Sequence, residues 1–176
     1  MHEAQMRDTE FGRTPATDGW FTLNVADATW LINEKLGDAC VFENDDVQFS
    51  QIGYTLAVLE PGEPSGMYHR EGDQEDFLVL SGECIAIIEG EERRLRAWDF
   101  VHCPGGTAHI FVGAGDGPCA IFMIGGRAHP GSAQYLRDEA ALRHGAGPEA
   151  DTTQSKEAYA PFPSWRPGQP KGAWPL

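Results

Sequence analysis

Two glutamates and two histidines stand at spacings suited to binding a divalent cation. Residues 67–75 read MYHREGDQE and contain His69, Glu71 and Glu75, while His109 follows in CPGGTAHIFV. Side chains on a strand alternate between faces, so His69 and Glu71 point the same way if MYHRE is a strand. Imidazole and carboxylate ligands suit Fe, Mn, Zn, Ni or Co as divalent ions and disfavour an ion that prefers thiolate. These four residues are therefore the candidate metal ligands.

The candidate ligands lie at the ends of short apolar segments separated by turn-forming residues. Glycine supplies positive φ angles, proline fixes φ, and aspartate forms local hydrogen bonds. The pattern predicts strands at residues 40–43, 52–60, 67–71, 76–81, 84–89, 91–97, 100–103, 108–113 and 119–125. Many short strands joined by tight turns are typical of a β-sandwich or small barrel. EGEE at 89–92 predicts a hairpin with Gly90 in its turn.

Two helices are predicted outside the strands. DATWLINEKLG at 27–37 has a rough apolar stripe and predicts a short N-terminal helix capped by Asp27. SAQYLRDEAALRHG at 132–145 predicts a C-terminal helix that Ser132 caps and Gly145 ends.

The two ends of the chain differ in composition from the middle. Residues 1–18 are polar without periodicity and are expected to be loose or loosely docked. The tail from residue 161 holds five prolines, and Trp165 and Trp174 in it are expected to pack on a surface or on a partner subunit. The predicted organisation is an N-terminal extension at 1–39, a barrel at 40–126, and a helix with a docking tail at 127–176.

The motifs around the first three ligands resemble those of the cupins, which are small double-stranded β-helix barrels. The first cupin motif usually runs His-x-His, three or four residues, Glu, six residues, Gly. Here His69-x-Glu71, three residues, Glu75, six residues and Gly82 fit that spacing, with Glu71 where the second histidine is expected. An alternative alignment makes His69 the second histidine and puts Met67 first, with one residue too many before Glu75.

The second cupin motif usually runs Gly, five residues, Pro-x-Gly, two residues, His, three residues, Asn. Pro104-x-Gly106, two residues and His109 fit it, while Trp98 replaces the leading glycine and Gly113 the final asparagine. The resemblance covers roughly residues 50–125 and implies an all-β double-stranded β-helix, or jelly-roll barrel, with the two predicted helices and the tail around it.

The resemblance also implies a metal site inside the barrel, with His69, Glu75 and His109 as ligands. Glu71 is either a fourth ligand or a residue turned to solvent. The ion is Fe, Mn, Zn or Ni, and no residue is assigned a catalytic role beyond the ligands. Asp73, Gln74 and Asp76 are expected to lie in turns or on the surface. His2, His129 and His144 are expected to lie outside the barrel and to take no part in the site.

Three hypotheses for function remain, because a fold does not fix an activity. The first is an Fe-type dioxygenase acting on a small organic molecule, with open metal positions for substrate and dioxygen. The second is a metal-dependent isomerase of sugars or sugar phosphates, which needs a cation for phosphate and has only Arg70 nearby in the sequence. The third is a non-catalytic barrel that binds or senses a small molecule.

The amino-acid composition limits which binding partners and which cellular compartment are expected. The formal net charge of −14 repels phosphate backbones and anionic lipid, so neither nucleic acid nor a membrane is expected as a partner. The first ten residues lack the apolar core of a secretory signal, and four scattered cysteines without a CxxC pair indicate a cytoplasmic protein with reduced thiols. Apolar material in the N-terminal 40 residues and the tail predicts a homodimer.

Overall fold

Alternation of apolar and polar residues gives the central strands one buried face, and two sheets pack these faces together. The computed structural model describes residues 2–170. Its strands are β1 Met6–Thr9, β2 Gly12–Pro15, β3 Trp30–Ile32, β4 Asp38–Val41, β5 Ile52–Leu59, β6 His69–Arg70, β7 Glu75–Ser81, β8 Glu83–Ile88, β9 Glu91–Arg96, β10 Phe100–Cys103, β11 His109–Ala114, β12 Cys119–Gly126, β13 Gln134–Tyr135 and β14 Arg166–Gly168. The helices are α1 Glu139–Arg143 and α2 Ser155–Ala158.

Two large antiparallel sheets form the barrel. The seven-stranded sheet has the order β10-β7-β12-β5-β4-β3-β14, and the five-stranded sheet has the order β13-β6-β11-β8-β9. β1 and β2 form a separate hairpin. Consecutive strands such as β7 and β8 lie in different sheets, so the chain passes repeatedly from one wall to the other, consistent with a cupin double-stranded β-helix.

The core of the barrel lies between the two sheets. Its buried residues are Ala57, Leu59, Phe77, Val79, Cys84, Ala86, Cys103, Phe111, Cys119 and Ile121. A second cluster joins the outer face of the five-stranded sheet to α1 through Ile87, Ile110 and Ala141. A third covers the outer face of the seven-stranded sheet, where Trp30 packs with Leu56 and Val58. Beyond this interior cluster, polar residues line one end of the barrel.

The predicted all-β fold is confirmed, and each of the nine predicted strands overlaps an observed one. The EGEE hairpin is also confirmed, since Glu89 and Gly90 form the turn between β8 and β9. Both residues have positive φ angles, 50° and 78°, as a two-residue type I′ turn requires.

The predicted helix at 27–37 is wrong. Val25–Asp27 forms a single 3-10 turn, and Trp30–Ile32 is strand β3 paired with β4. Trp30 is completely buried against the outer face of the sheet, and this long-range packing outweighs the weak helical pattern.

The predicted helix at 132–145 is shorter than expected. Gln134 and Tyr135 pair with β6, and the helix begins only after Asp138, whose side chain accepts a hydrogen bond from the Ala141 amide. Gly145 follows the helix with a φ of 64°, as predicted for its end.

Both ends of the chain pack on the barrel in the described part. Residues expected to be loose form the β1–β2 hairpin, and β14 in the tail pairs with β3. The Trp165 indole donates to the Gly37 carbonyl at 3.4 Å, whereas Trp174 lies outside the described residues. Much of the apolar material that predicted a homodimer is thus used within one chain, and the dimer stays a prediction.

No helix within residues 2–170 has the length and apolar character to cross a membrane.

Candidate metal centre

Three of the four candidate ligands converge at one end of the barrel. His69 on β6 and His109 on β11 are paired neighbours in the five-stranded sheet, and Glu75 begins β7 in the opposite sheet. Ligand atoms of these three residues all lie within 4.8 Å of one another. The Glu75 carboxylate approaches the His109 Nε2 atom to 3.2 Å. The site therefore bridges the two sheets, which hold its ligands on rigid backbone.

Backbone carbonyls fix the orientation of both imidazoles. His69 Nδ1 lies 2.8 Å from the Met67 carbonyl oxygen, and His109 Nδ1 lies 3.0 Å from the Thr107 carbonyl oxygen. A carbonyl can only accept, so each Nδ1 carries a proton, and in the neutral imidazole each Nε2 then keeps its lone pair. Both Nε2 atoms are then in the protonation state that a metal needs, which fits the three residues for a divalent ion.

Burial shifts the protonation of this group when no cation is bound. The pKa of Glu75 rises to about 7, mainly because of burial and further because of the charges of Glu71 and Asp73. The pKa of His109 falls to about 4, because of burial and then the neighbouring His69. A neutral His109 can accept a hydrogen bond from a protonated Glu75, so a proton can occupy the place between them that a cation would take.

Glu71 lies beside the group of three and not within it. Its carboxylate is 3.7 Å from His69 Nε2, and its side chain is 36% exposed. The residue also lines the cavity described below. It approaches His69 but lies outside the group of three, so its role as a fourth ligand stays a prediction.

A cavity of about 700 Å³ opens at this end of the barrel. Glu75 lies in its wall, so the metal group borders the cavity on one side. The apolar part of the wall includes Phe49, Tyr54 and Met123. Such a volume is typical of pockets that take small organic molecules.

Four further acidic or basic residues of the cavity wall were missed as site residues by the sequence analysis. Arg127 donates to Glu43 Oε2 at 3.0 Å and to the Phe49 carbonyl at 2.8 Å. Asp73 Oδ1 accepts from His129 Nδ1 at 2.9 Å, and Asp73 Oδ2 accepts from the His129 amide at 2.7 Å. Arg127 and Glu43 are 84 positions apart in the sequence, and His129 and Asp73 are 56 positions apart. Such distant pairs leave no local pattern in the sequence, and only folding brings them together.

Cys40 and Cys103 are unsuited to nucleophilic chemistry. Cys40, Cys84, Cys103 and Cys119 are all buried and unpaired, as the sequence predicts. Burial raises the pKa of Cys40 to about 12 and that of Cys103 to about 11, so neither forms a thiolate near neutral pH.

Comparison with known proteins identifies the class that this fold and site define. Residues 55–125 match the Cupin_2 family, described as a cupin domain, so the match supports a cupin domain over this part of the chain. Comparison with curated proteins finds no significant match.

Two solved structures with TM-scores above 0.5 share the fold. The polyketide cyclase RemF from Streptomyces resistomycificus is 14% identical over 64% of this chain and 82% of its own, with a TM-score of 0.55. A predicted oxalate decarboxylase from Thermotoga maritima is 16% identical over 60% of this chain and 97% of its own, with a TM-score of 0.53. A sugar phosphate isomerase from Silicibacter pomeroyi is 27% identical over 52% of this chain and has a TM-score of 0.46, and the match spans only 60% of the isomerase.

Proposed function

We propose that this cupin is a metal-dependent enzyme acting on a small organic molecule, most simply an iron-type dioxygenase. The observation that carries the proposal is the group His69, Glu75 and His109 on the border of a cavity of about 700 Å³. Two imidazoles and one carboxylate form the ligand set of non-haem Fe(II) oxygenases, which leave metal positions open for substrate. A bound ion would supply Lewis-acid chemistry and, if it is iron, one-electron redox chemistry.

The chain's own residues hold, orient and shield the reacting molecules in this proposal. Phe77 and Phe111 pack beneath His109, with ring centroids 5.0 and 6.2 Å from its imidazole, and keep water from the lower side of the site. Glu71 lines the cavity and can accept a proton from a bound substrate if it is not a ligand. Tyr54 and Phe49 offer aromatic surface to the apolar part of the substrate.

The isomerase alternative has less support, because both arginines near the cavity are already paired within the chain. A sugar phosphate needs a cation in the cavity, and Arg70 instead binds the Gln134 side chain at 2.8 Å. Arg127 lines the cavity, yet its guanidinium is already paired with Glu43. The sensor alternative would keep ligand binding and lack turnover.

Metal content tests the proposal first. Purified protein, reconstituted with each candidate ion under anaerobic conditions, is expected to hold close to one ion per chain by elemental mass spectrometry. His69→Ala and Glu75→Ala are expected to lose it, because each removes one of three ligands. His102→Ala is the matched control, since His102 lies outside the group and binds Asp76. Equal metal content in all four proteins would contradict the site.

Oxygen uptake then separates the functions. With small organic molecules screened against the Fe(II)-loaded protein, a dioxygenase consumes oxygen with substrate and Glu75→Ala does not. Turnover without oxygen would favour the isomerase, and binding without turnover would favour the sensor.

A further inference from the structure

The charged residues of the cavity identify the class of substrate. Four carboxylates line it, from Glu43, Glu71, Asp73 and Glu75. Two basic side chains, Arg127 and His129, complete the charged residues of the described wall. Asp73 accepts two hydrogen bonds from His129, at 2.7 Å from its amide and at 2.9 Å from its Nδ1 atom. Before any cation binds, the described wall therefore holds more acidic than basic side chains, four against two.

The guanidinium of Arg127 is held by this chain's own groups. Both of its terminal nitrogens contact the Glu43 carboxylate, and Nη1 also donates to the Phe49 carbonyl at 2.8 Å. Glu43 is fixed in turn, because Oε2 accepts from the Phe49 amide at 2.7 Å and its side chain is only 17% exposed. A paired guanidinium of this kind offers little to a ligand carboxylate or phosphate.

The backbone is shaped to hold the arginine in this place. A Cβ atom at Gly53 would lie 2.6 Å from Arg127 Nη2, so the glycine leaves the space that the guanidinium fills. The pair thus rests on β5, on the loop after β4 and on the end of β12. An anionic ligand that used Arg127 would have to break this pair and leave the Glu43 carboxylate with only the Phe49 amide as a partner in a partly buried wall.

We infer that the cavity selects an uncharged or cationic small molecule with an aromatic or apolar part, and that Glu43 determines this selectivity by occupying Arg127. The inference rests on the proposed function, because it takes the cavity as the substrate site. Tyr54 and Phe49 supply the apolar and aromatic wall, with ring centroids 5.9 Å apart, and aromatic faces also attract cations. Glu43 is a specificity-determining residue, distant in sequence from the metal ligands.

A matched series of catechols tests the inference. Zinc-loaded protein avoids ligand oxidation, and calorimetric titration gives Kd for catechol, for protocatechuate, which adds a carboxylate, and for dopamine, which adds an ammonium group. Protocatechuate is expected to bind at least about tenfold more weakly than catechol, and dopamine at least as tightly as catechol. Equal or tighter binding of protocatechuate, or no binding of any of the three, would overturn the inference.

Two variants of one ion pair distinguish selectivity from a structural role. Glu43→Gln frees Arg127, so the affinity for protocatechuate relative to catechol is expected to rise about tenfold. Arg127→Gln leaves Glu43 without its partner and is expected to shift the preference toward dopamine. A pair that only holds the loop would change all three affinities in the same direction in both variants, and that result would contradict the assignment.

Controls separate this inference from the proposed function. Glu83→Gln removes one negative charge from an exposed side chain outside the cavity and is expected to leave all three Kd values unchanged. Metal content is measured for every variant. If the protein takes no metal, the proposed function fails, and the same three titrations of the metal-free protein still report whether the cavity discriminates by charge.

Discussion

Glu75 combines two properties that would govern cation binding at the candidate site. Its carboxylate must be ionised to bind a metal, yet burial and the charges of Glu71 and Asp73 raise its pKa to about 7. His109 is already neutral over this range, since its pKa is about 4. The proton on Glu75 is therefore a competitor of the cation near neutral pH.

Metal binding is expected to release a proton from Glu75 in acidic solution. Below pH 7 the carboxyl is protonated before metal binds, so affinity is expected to fall by about tenfold for each pH unit. Above pH 7 the carboxylate is free and this dependence disappears. Calorimetry of Mn(II) binding in buffers of different ionisation enthalpy counts the protons released. Equal proton release at pH 6 and pH 8 would contradict the shifted pKa of Glu75.

The sequence identified the three candidate ligands that the structure brings together more readily than it identified the rest of the cavity wall. His69, Glu75 and His109 were identifiable because two short motifs carry them with fixed spacing, and the strands that follow are locally encoded. Arg127, Glu43 and His129 belong to no such motif and meet across two sheet ends and a loop. His129 stands outside the barrel in sequence, but the chain returns it to the cavity, where it contacts Asp73.

At the scale of elements, the strands were predictable and the flanking helices were not. Central strands such as β8 and β12 carry apolar residues on both faces because both sides are covered, and turn residues mark their ends. The segment at 27–37 lacks that clarity, since Trp30, Leu31 and Leu36 suit a helix stripe as well as a short edge strand. The segment forms strand β3 because it pairs with β4 and β14, and such pairing is not encoded in the local sequence.

The turn between β7 and β8 depends on Gly82. Its φ is 71°, and a Cβ atom there would lie 2.4 Å from the Pro118 carbonyl oxygen. Gly82→Ala is therefore expected to reduce the free energy of unfolding by at least about 3 kcal/mol, from left-handed backbone and overpacking together. Urea denaturation followed by circular dichroism measures the change.

Gly62 provides the matched control for the turn. Its φ is 85°, but no atom lies within 4 Å of a Cβ built there. Gly62→Ala is expected to cost only the backbone part, about 1–2 kcal/mol. Equal losses in the two variants would mean that the close approach to Pro118 has no energetic consequence.

At the scale of the whole molecule, the C-terminal segment contacts the candidate metal site from outside the barrel. Tyr159, just after α2, accepts a hydrogen bond from the Met67 amide at 3.2 Å. The Met67 carbonyl in turn anchors His69 Nδ1 at 2.8 Å. Tyr135 extends this connection, because its ring lies 5.9 Å from the His69 ring and 5.7 Å from the Tyr159 ring. The segment beyond the barrel therefore helps to orient a candidate ligand.

Tyr159→Phe is expected to weaken metal binding while leaving the fold intact. The variant keeps the ring contacts with Tyr135 and Trp165 and removes only the hydroxyl that holds Met67. Loss of an orienting group behind a ligand raises Kd by roughly threefold to tenfold when the group acts through one intermediate residue. Tyr54→Phe is the control, since Tyr54 lines the cavity without contacting either histidine ring in the described aromatic contacts. Competition with a chelator of known affinity measures Kd, and equal values for Tyr159→Phe and the unmodified protein would show that the C-terminal segment packs on the barrel without positioning His69.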